Sequence, residues 1–208
     1  MAKNSSMREQ IFWDRLSGKL NTKRESHEIT VNKINSFLNK DDEILDFGCA
    51  AGLITNDIAK NVKWADGIDI SPKLVEAANK NANEEGIENA TYFSLDLFNE
   101  NLKKESYNVI MAINVIHFLK NSDDYIQRFY DLLKPGGIFI SLTVAMKEEF
   151  HFTRISIPFL GAIGVIPKMH YYNKNQLKEI TSSNGFKILD IEEFNFTKYP
   201  QYFIAAQK

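Results

Sequence analysis

Gly48, Gly52, Asp69 and Asp96 stand at positions where a chain could hold a nucleoside. Glu43-Ile44-Leu45-Asp46-Phe47 is an apolar run carrying one acid, and it enters the turn Gly48-Cys49-Ala50-Ala51-Gly52. Gly48 and Gly52 lack a Cβ, so the chain can bend sharply there and a bulky ligand can approach bare backbone. A helical pattern from Leu53 to Lys60 follows at once, and the free N–H groups of its first turn face the same spot. Asp69 ends the next apolar run about 17 residues past Gly52, near the spacing expected of an acid that accepts hydrogen bonds from both hydroxyls of a ribose. Asp96 ends a third run, Thr91-Tyr92-Phe93-Ser94-Leu95, and offers an acceptor to the exocyclic amino group of adenine. Cys49, the only cysteine, has no local base to lower its pKa and reads as a small residue packed under the turn.

These residues need strands to carry them to one place. The pattern predicts helices over 7–20 and 25–39, then strands near 43–47, 64–69, 90–94, 108–113 and 137–144, with helices near 52–60, 72–84 and 122–132 between them. Ser71-Pro72 is a helix entry, with serine as cap and proline in the first turn. Lys134-Pro135-Gly136-Gly137 stops a helix and starts the fifth strand. Such alternation implies a doubly wound, Rossmann-like α/β sheet, mostly parallel, with helices on both faces. The last third breaks the rhythm: a helix at 173–184, then strands over 186–194 and 201–207 that must pair antiparallel, since no helix fits between them. We expect one domain over 1–208. It comprises N-terminal helices (1–40), a ligand-binding core (41–144), a lid or substrate insertion (145–172), and a C-terminal helix and hairpin (173–208). The 145–172 segment is too long for a plain connection and holds His151, His170, Tyr171 and Tyr172.

Composition excludes some classes. The 208 residues are 44% hydrophobic and 25% charged, and Lys+Arg 25 against Asp+Glu 27 leaves a net charge of -2. A nucleic-acid binder would carry a basic surplus. One cysteine allows no internal disulfide and no cysteine metal cluster. His27 is isolated in sequence, and the other histidines lack acid partners at metal spacing, so no metal is expected. No signal-type N-terminus and no bilayer-length apolar run are present, so the expected location is cytoplasmic.

Taken in order, these motifs resemble the class I S-adenosylmethionine-dependent methyltransferases. Asp46-Phe47-Gly48-Cys49-Ala50-Ala51-Gly52 is similar to the family's Asp-x-Gly-x-Gly-x-Gly loop, with Ala50 in place of the middle glycine. Gly67-Ile68-Asp69-Ile70-Ser71 is similar to its second motif and Asp96-Leu97 to its adenine motif. Tyr107-Asn108-Val109-Ile110 through Asn114-Val115-Ile116-His117 resembles the fourth-strand motif, and Leu132 to Phe139 the turn into strand five. The resemblance implies S-adenosyl-L-methionine as cofactor and S-adenosyl-L-homocysteine as product, without a metal. It implies cofactor contacts from Asp46, Gly48, Cys49, Ala50, Gly52, Asp69, Ile70, Asp96, Leu97 and Asn114. Asp46 would meet the methionine amino group or hold the loop by its backbone N–H groups. Two departures concern the amino-acid end. Asn108 replaces a common aspartate and removes a charge beneath the methionine. Leu20 stands where relatives with an opening like Phe12-Trp13-Asp14 often carry a tyrosine near the cofactor carboxylate. The reaction implied is in-line methyl transfer to a small, partly apolar acceptor, with His117, His151 and His170 as candidate bases or substrate contacts, and Tyr171-Tyr172 as a possible aromatic wall. A non-catalytic S-adenosylmethionine sensor or partner subunit is the alternative. A nicotinamide oxidoreductase fits less well, because the frame Gly48-Cys49-Ala50-Ala51-Gly52-Leu53 lacks two of the three fingerprint glycines.

Overall fold

The computed structural model describes residues 2–23, 25–145, 167–196 and 199–208. Seven strands form one sheet: β1 (Glu43–Phe47), β2 (Trp64–Asp69), β3 (Ala90–Ser94), β4 (Tyr107–Ile113), β5 (Leu133–Val144), β6 (Lys187–Phe194) and β7 (Gln201–Gln207). Their order is β3-β2-β1-β4-β5-β7-β6. The first five are parallel, and β7 runs antiparallel to both β5 and β6. Among the described residues, six α-helices accompany them: α1 (Ala2–Leu20), α2 (His27–Asn35), α3 (Leu53–Ala59), α4 (Pro72–Glu85), α5 (Ser122–Leu132) and α6 (Lys174–Ser183).

The expected hairpin of β6 and β7 is present, but the last strand of the chain lies inside the sheet. Composition explains the order. Gln201 to Ala206 are all buried, whereas β6 carries Asp190, Glu192 and Glu193 and is mostly exposed or half-buried. Charges of this kind suit an edge strand, where they oppose pairing with a further chain. The central strands are continuous apolar runs because both of their faces are covered. Successive residues alternate between two cores. Leu45, Ile110, Phe139 and Ile204 pack with Phe129 of α5 and Leu177 of α6. Ile44, Met111, Ile140 and Phe203 pack with Ile34 of α2 and Ile58 of α3.

Local chemistry sets the element ends. The Ser71 hydroxyl accepts from Leu74 N–H at 3.2 Å and caps α4, and Pro72 opens that helix. Asn173 and Gln176 form a reciprocal capping box at the start of α6. The helix before Lys134 ends at Leu132 as expected. The fifth strand, however, begins at Leu133, because Tyr107 pairs with Leu133 and Val109 with Ile138 while the Pro135-Gly136 turn bulges out between them. No helix among the described residues is long and apolar enough to cross a membrane.

Candidate functional site

The carboxyl ends of β1, β2 and β4, with Asp96 beyond β3, line one cavity of about 890 Å³, within the size range of small-molecule sites. Of the residues expected there, Asp46, Gly48, Cys49, Ala50, Asp69, Ile70, Asp96, Asn114 and His117 line it.

The turn after β1 holds three left-handed residues: Gly48 (φ 74), Ala50 (φ 49) and Gly52 (φ 73). Gly48 N–H donates to Ile68 O at 2.8 Å and Gly52 N–H to Cys49 O at 2.9 Å. The glycines answer to packing beneath the loop as well as to its path. A Cβ on Gly48 would sit 2.9 Å from Val115 Cγ2, and one on Gly52 would sit 2.9 Å from the Tyr92 ring. Tyr92 donates a short hydrogen bond to Asn56, which fixes the ring under the loop. Cys49 is buried against Val75, Ala78 and Tyr92, and burial pushes its thiol well above the ordinary value. Both observations match a packing residue.

Asp69 accepts from Ala50 N–H at 3.1 Å with one oxygen and from Ser71 N–H at 2.9 Å with the other. It ties the glycine turn to the end of β2. Burial raises its pKa against these hydrogen bonds. An ionised carboxylate has about four lone-pair sites, and with Ile70 N–H also directed at Asp69, acceptor capacity is left for a ligand hydroxyl. Asp96 accepts from Phe98 N–H at 2.8 Å. Leu97 is fully buried in the core and does not line the cavity; its neighbour Phe98 does, edge-on to Tyr125 with ring centroids 5.0 Å apart.

Asp46 is buried and accepts from the Thr55 hydroxyl of α3 at 2.6 Å. Of the two roles open to Asp46, bonding to the loop N–H groups is not the one seen; its partner is Thr55. Burial, with Asp69 adding to it, pushes the carboxyl up to about 6 against the Thr55 bond. Asn114 adopts φ 56. Its N–H donates to Leu142 O at 2.7 Å, and its buried Oδ1 has no partner among the described residues. Asn108 corrects the sequence reading. It lies at the amino end of β4, six residues or roughly 20 Å of strand from Asn114, and accepts from Glu43 N–H and Lys134 Nζ at 3.0 Å each. No charge is missing from the cavity on its account.

His117 sits in a short 3₁₀ turn, Ile116–Phe118, after β4. Burial lowers its pKa to about 4, and Nδ1 has no partner among the described residues. His170 is half-buried and outside the cavity wall. Its N–H donates to His117 O at 2.7 Å, so it tethers the segment that follows the insertion. His151 lies outside the described residues, as does most of the expected lid. Tyr171 and Tyr172 do not line the cavity; Tyr172 donates to Ser122 Oγ at 2.8 Å, and Tyr199 lines the cavity instead.

The sequence reading missed much of the roof. Trp13 of α1 lines the cavity and meets Phe118 edge-on at 4.9 Å, while Asp14 accepts from the Ser71 hydroxyl and docks α1 on α4. Leu20, which the resemblance sets near the cofactor carboxylate, lines the same wall. His27, isolated in sequence, is paired in space with Asp57 and also lines the cavity. Pairs this far apart in sequence leave no signal in a single chain. Among the described residues, no group of three His, Cys, Asp or Glu could hold a metal ion.

Comparison with known proteins places this geometry. Residues 38–185 match the family described as a methyltransferase domain. The ubiquinone biosynthesis O-methyltransferase of Rickettsia canadensis is 29% identical over 174 residues, covering 79% of this chain and 72% of that protein. The protein of the same name from Coxiella burnetii is 24% identical over 165 residues, covering 76% and 68%. In fold, the chain is similar to a SAM-dependent methyltransferase of Aquifex aeolicus, with TM-score 0.73, 16% identity and coverage of 93% and 97%. With the glycine turn and three strand-end acids gathered on one cavity, the chain belongs to the methyltransferase-domain family and is a class I S-adenosylmethionine-dependent methyltransferase.

Proposed function

We propose that the chain methylates a hydroxyl of a small, partly apolar molecule. The observation that carries this is the cavity itself, which changes character along its length. At one end Asp69, Asp96 and the Phe98–Tyr125 pair fit an adenosyl group. In the middle, Asp46 and the unpartnered Asn114 Oδ1 fit an ammonium. Beyond them the wall is Ile113, Val144, Phe118, Pro167 and Tyr199, with Gln201 among them. The orphaned Asn114 oxygen is the sharpest sign of fit, because a buried acceptor without a partner costs about 1–3 kcal/mol that a donor on the ligand would recover.

S-adenosylmethionine supplies a methyl group already activated on a sulfonium, so the protein's part is alignment, which can account for roughly 7–11 kcal/mol of barrier. Glu9, Asp46, Asp69, Asp96 and Asp124 all line the cavity, and their field favours a cationic ligand over a neutral one. Trp13 and α1 cover the cavity and exclude water. His117, kept neutral by burial, offers Nδ1 as the hydrogen-bond acceptor that orients the hydroxyl of the methyl acceptor. The two O-methyltransferases among the relatives support oxygen as the methylated atom. The test is methyl transfer from radiolabelled S-adenosylmethionine to hydroxylated aromatics, each with and without an apolar tail. Label should enter the hydroxyl. Transfer confined to amines or thiols would refute the proposal.

A further inference from the structure

His27 is a second histidine in the same cavity, and it is built differently from His117. Its side chain is 11% exposed, and Nε2 lies 2.7 Å from Asp57 Oδ2. A carboxylate oxygen can only accept, so Nε2 carries the hydrogen. Nδ1 is left without a partner among the described residues. Asp57 is held in turn by Lys23 at 2.7 Å and Lys60 at 2.6 Å. Burial raises the Asp57 pKa, but these bonds and that of His27 outweigh it and keep the carboxyl well below its usual range. The imidazole is therefore oriented by a permanently ionised group, an arrangement that fixes which ring nitrogen is free.

Its place in the fold is informative. Asp57 is on α3, one turn after Leu53 and on the same helical face. Leu53 lines the cavity immediately after the glycine turn. His27 is thus held against α3 by Asp57 and lines the same cavity as Leu53 and Asp46. The amino-acid end of the cofactor carries an ammonium and a carboxylate. Asp46 and Asn114 suit the first. The second meets a hostile wall, since five carboxylates line the cavity. Of the basic groups on the wall among the described residues, His117 is kept neutral by burial, and Lys120 is attracted to Glu9. Leu20 brings no donor. His27 remains.

We propose that His27, oriented by Asp57, receives the carboxylate of the cofactor's amino-acid end. Between two carboxylates the ring donates from both nitrogens. This assignment rests on the reading of the cavity as the S-adenosylmethionine site. Calorimetry with two probes separates them: S-adenosylhomocysteine, and methylthioadenosine, which keeps the adenosine and the sulfur but lacks the amino acid. His27→Ala should weaken S-adenosylhomocysteine by about ten- to hundredfold, the worth of a hydrogen bond to a charged group, and leave methylthioadenosine unchanged. Asp57→Asn should move the same ligand in the same direction, and His27→Gln, which can still donate, should lose less. His27→Gln carries the comparison if the alanine variant does not melt cooperatively. Equal losses on both probes, or an unchanged S-adenosylhomocysteine affinity, would overturn the assignment. Wild-type protein that bound neither probe would overturn the cavity reading and the assignment with it. Asp69→Ala should weaken both probes together, which keeps the two claims distinct.

Discussion

Replacing Asp46 by asparagine should stabilise the free protein while weakening its hold on the cofactor. The Asp46 carboxyl titrates near about 6 in the folded chain against 3.8 for an ordinary carboxyl, a gap worth ~3 kcal/mol. The sign follows from proton binding. Below about pH 4 the acid is protonated in both states and costs nothing. As pH rises towards 6 the unfolded chain releases its proton first, so the folded state is destabilised, by roughly half the full amount at pH 5 and nearly all of it by pH 7. Asparagine removes that cost and still accepts from Thr55, although its own N–H₂ needs acceptors. The net gain at pH 7 is therefore about 1–3 kcal/mol, or roughly 2–10 °C in melting temperature for a chain of this size. His117 sharpens the test. Its pKa is lowered to about 4 from 6.5, so its contribution is intact above 6.5 and is lost as pH falls towards 4. In the wild type the two groups oppose each other over the same window. In Asp46→Asn the acid sensitivity of His117 stands alone. Thermal melts of both proteins from pH 5 to 8 should show an advantage for the variant that grows with pH. A pH-independent difference, or a less stable variant at pH 7, would refute the burial argument. Loss of S-adenosylmethionine affinity in the same variant should accompany the gain.

Three further substitutions probe the rest of the cavity. Ala50→Gly should raise stability by about 0.5–1 kcal/mol in denaturant titrations, because the left-handed conformation of Ala50 costs about 1–2 kcal/mol, partly offset by the greater freedom of glycine in the unfolded chain. Asp69→Ala should lower S-adenosylhomocysteine affinity at least about tenfold by calorimetry while the far-ultraviolet circular dichroism is retained, since two loop N–H bonds and the ligand hydroxyl contacts depend on one carboxylate. His117→Leu should cut turnover of a hydroxyl acceptor by about tenfold or more and leave S-adenosylhomocysteine binding intact; equal turnover by the variant would remove His117 as the group that orients the hydroxyl.

Much of the framework was legible because its causes are local. Apolar runs such as Glu43–Phe47 and Tyr107–Ile113 announce buried strands, and Ser71-Pro72 announces α4 through capping chemistry within four residues. What escaped depends on pairs distant in sequence. His27 and Asp57 are 30 residues apart, and Trp13 reaches Phe118 only because Asp14 docks α1 against Ser71. Asn108 was misplaced for a different reason. A motif read as a unit hides the fact that a seven-residue strand separates its two ends, and only the carboxyl end of β4 reaches the cavity. Leu97 and Phe98 stand in the turn after β3, where their side chains part, Phe98 to the cavity wall and Leu97 to the core.

The glycine turn carries the wider lesson about where ligand preference comes from. Reading Gly48 and Gly52 as room for a ligand accounts for a bend and an open backbone, but Val115 and Tyr92 already occupy the space each Cβ would take. The positive φ angles and the packing below the loop demand glycine whatever sits above it. Such a turn tells against a dinucleotide only by the two fingerprint glycines it lacks, at Ala50 and Leu53, and says little about which other nucleotide it takes. Selection falls to the charged groups around the turn: Asp69 bound to Ala50 N–H, Asp46 held by Thr55, the unpartnered Asn114 oxygen and the Asp57-oriented His27. Acceptors and acids arranged for an ammonium, beside one imidazole placed for a carboxylate, describe the amino-acid end of S-adenosylmethionine and fit poorly to a pyrophosphate, which would bring negative charge against Asp46 and Asp69. The discrimination between a methyl donor and a dinucleotide therefore rests chiefly on the sign of the cavity's field, with the two missing fingerprint glycines as its only trace in the turn.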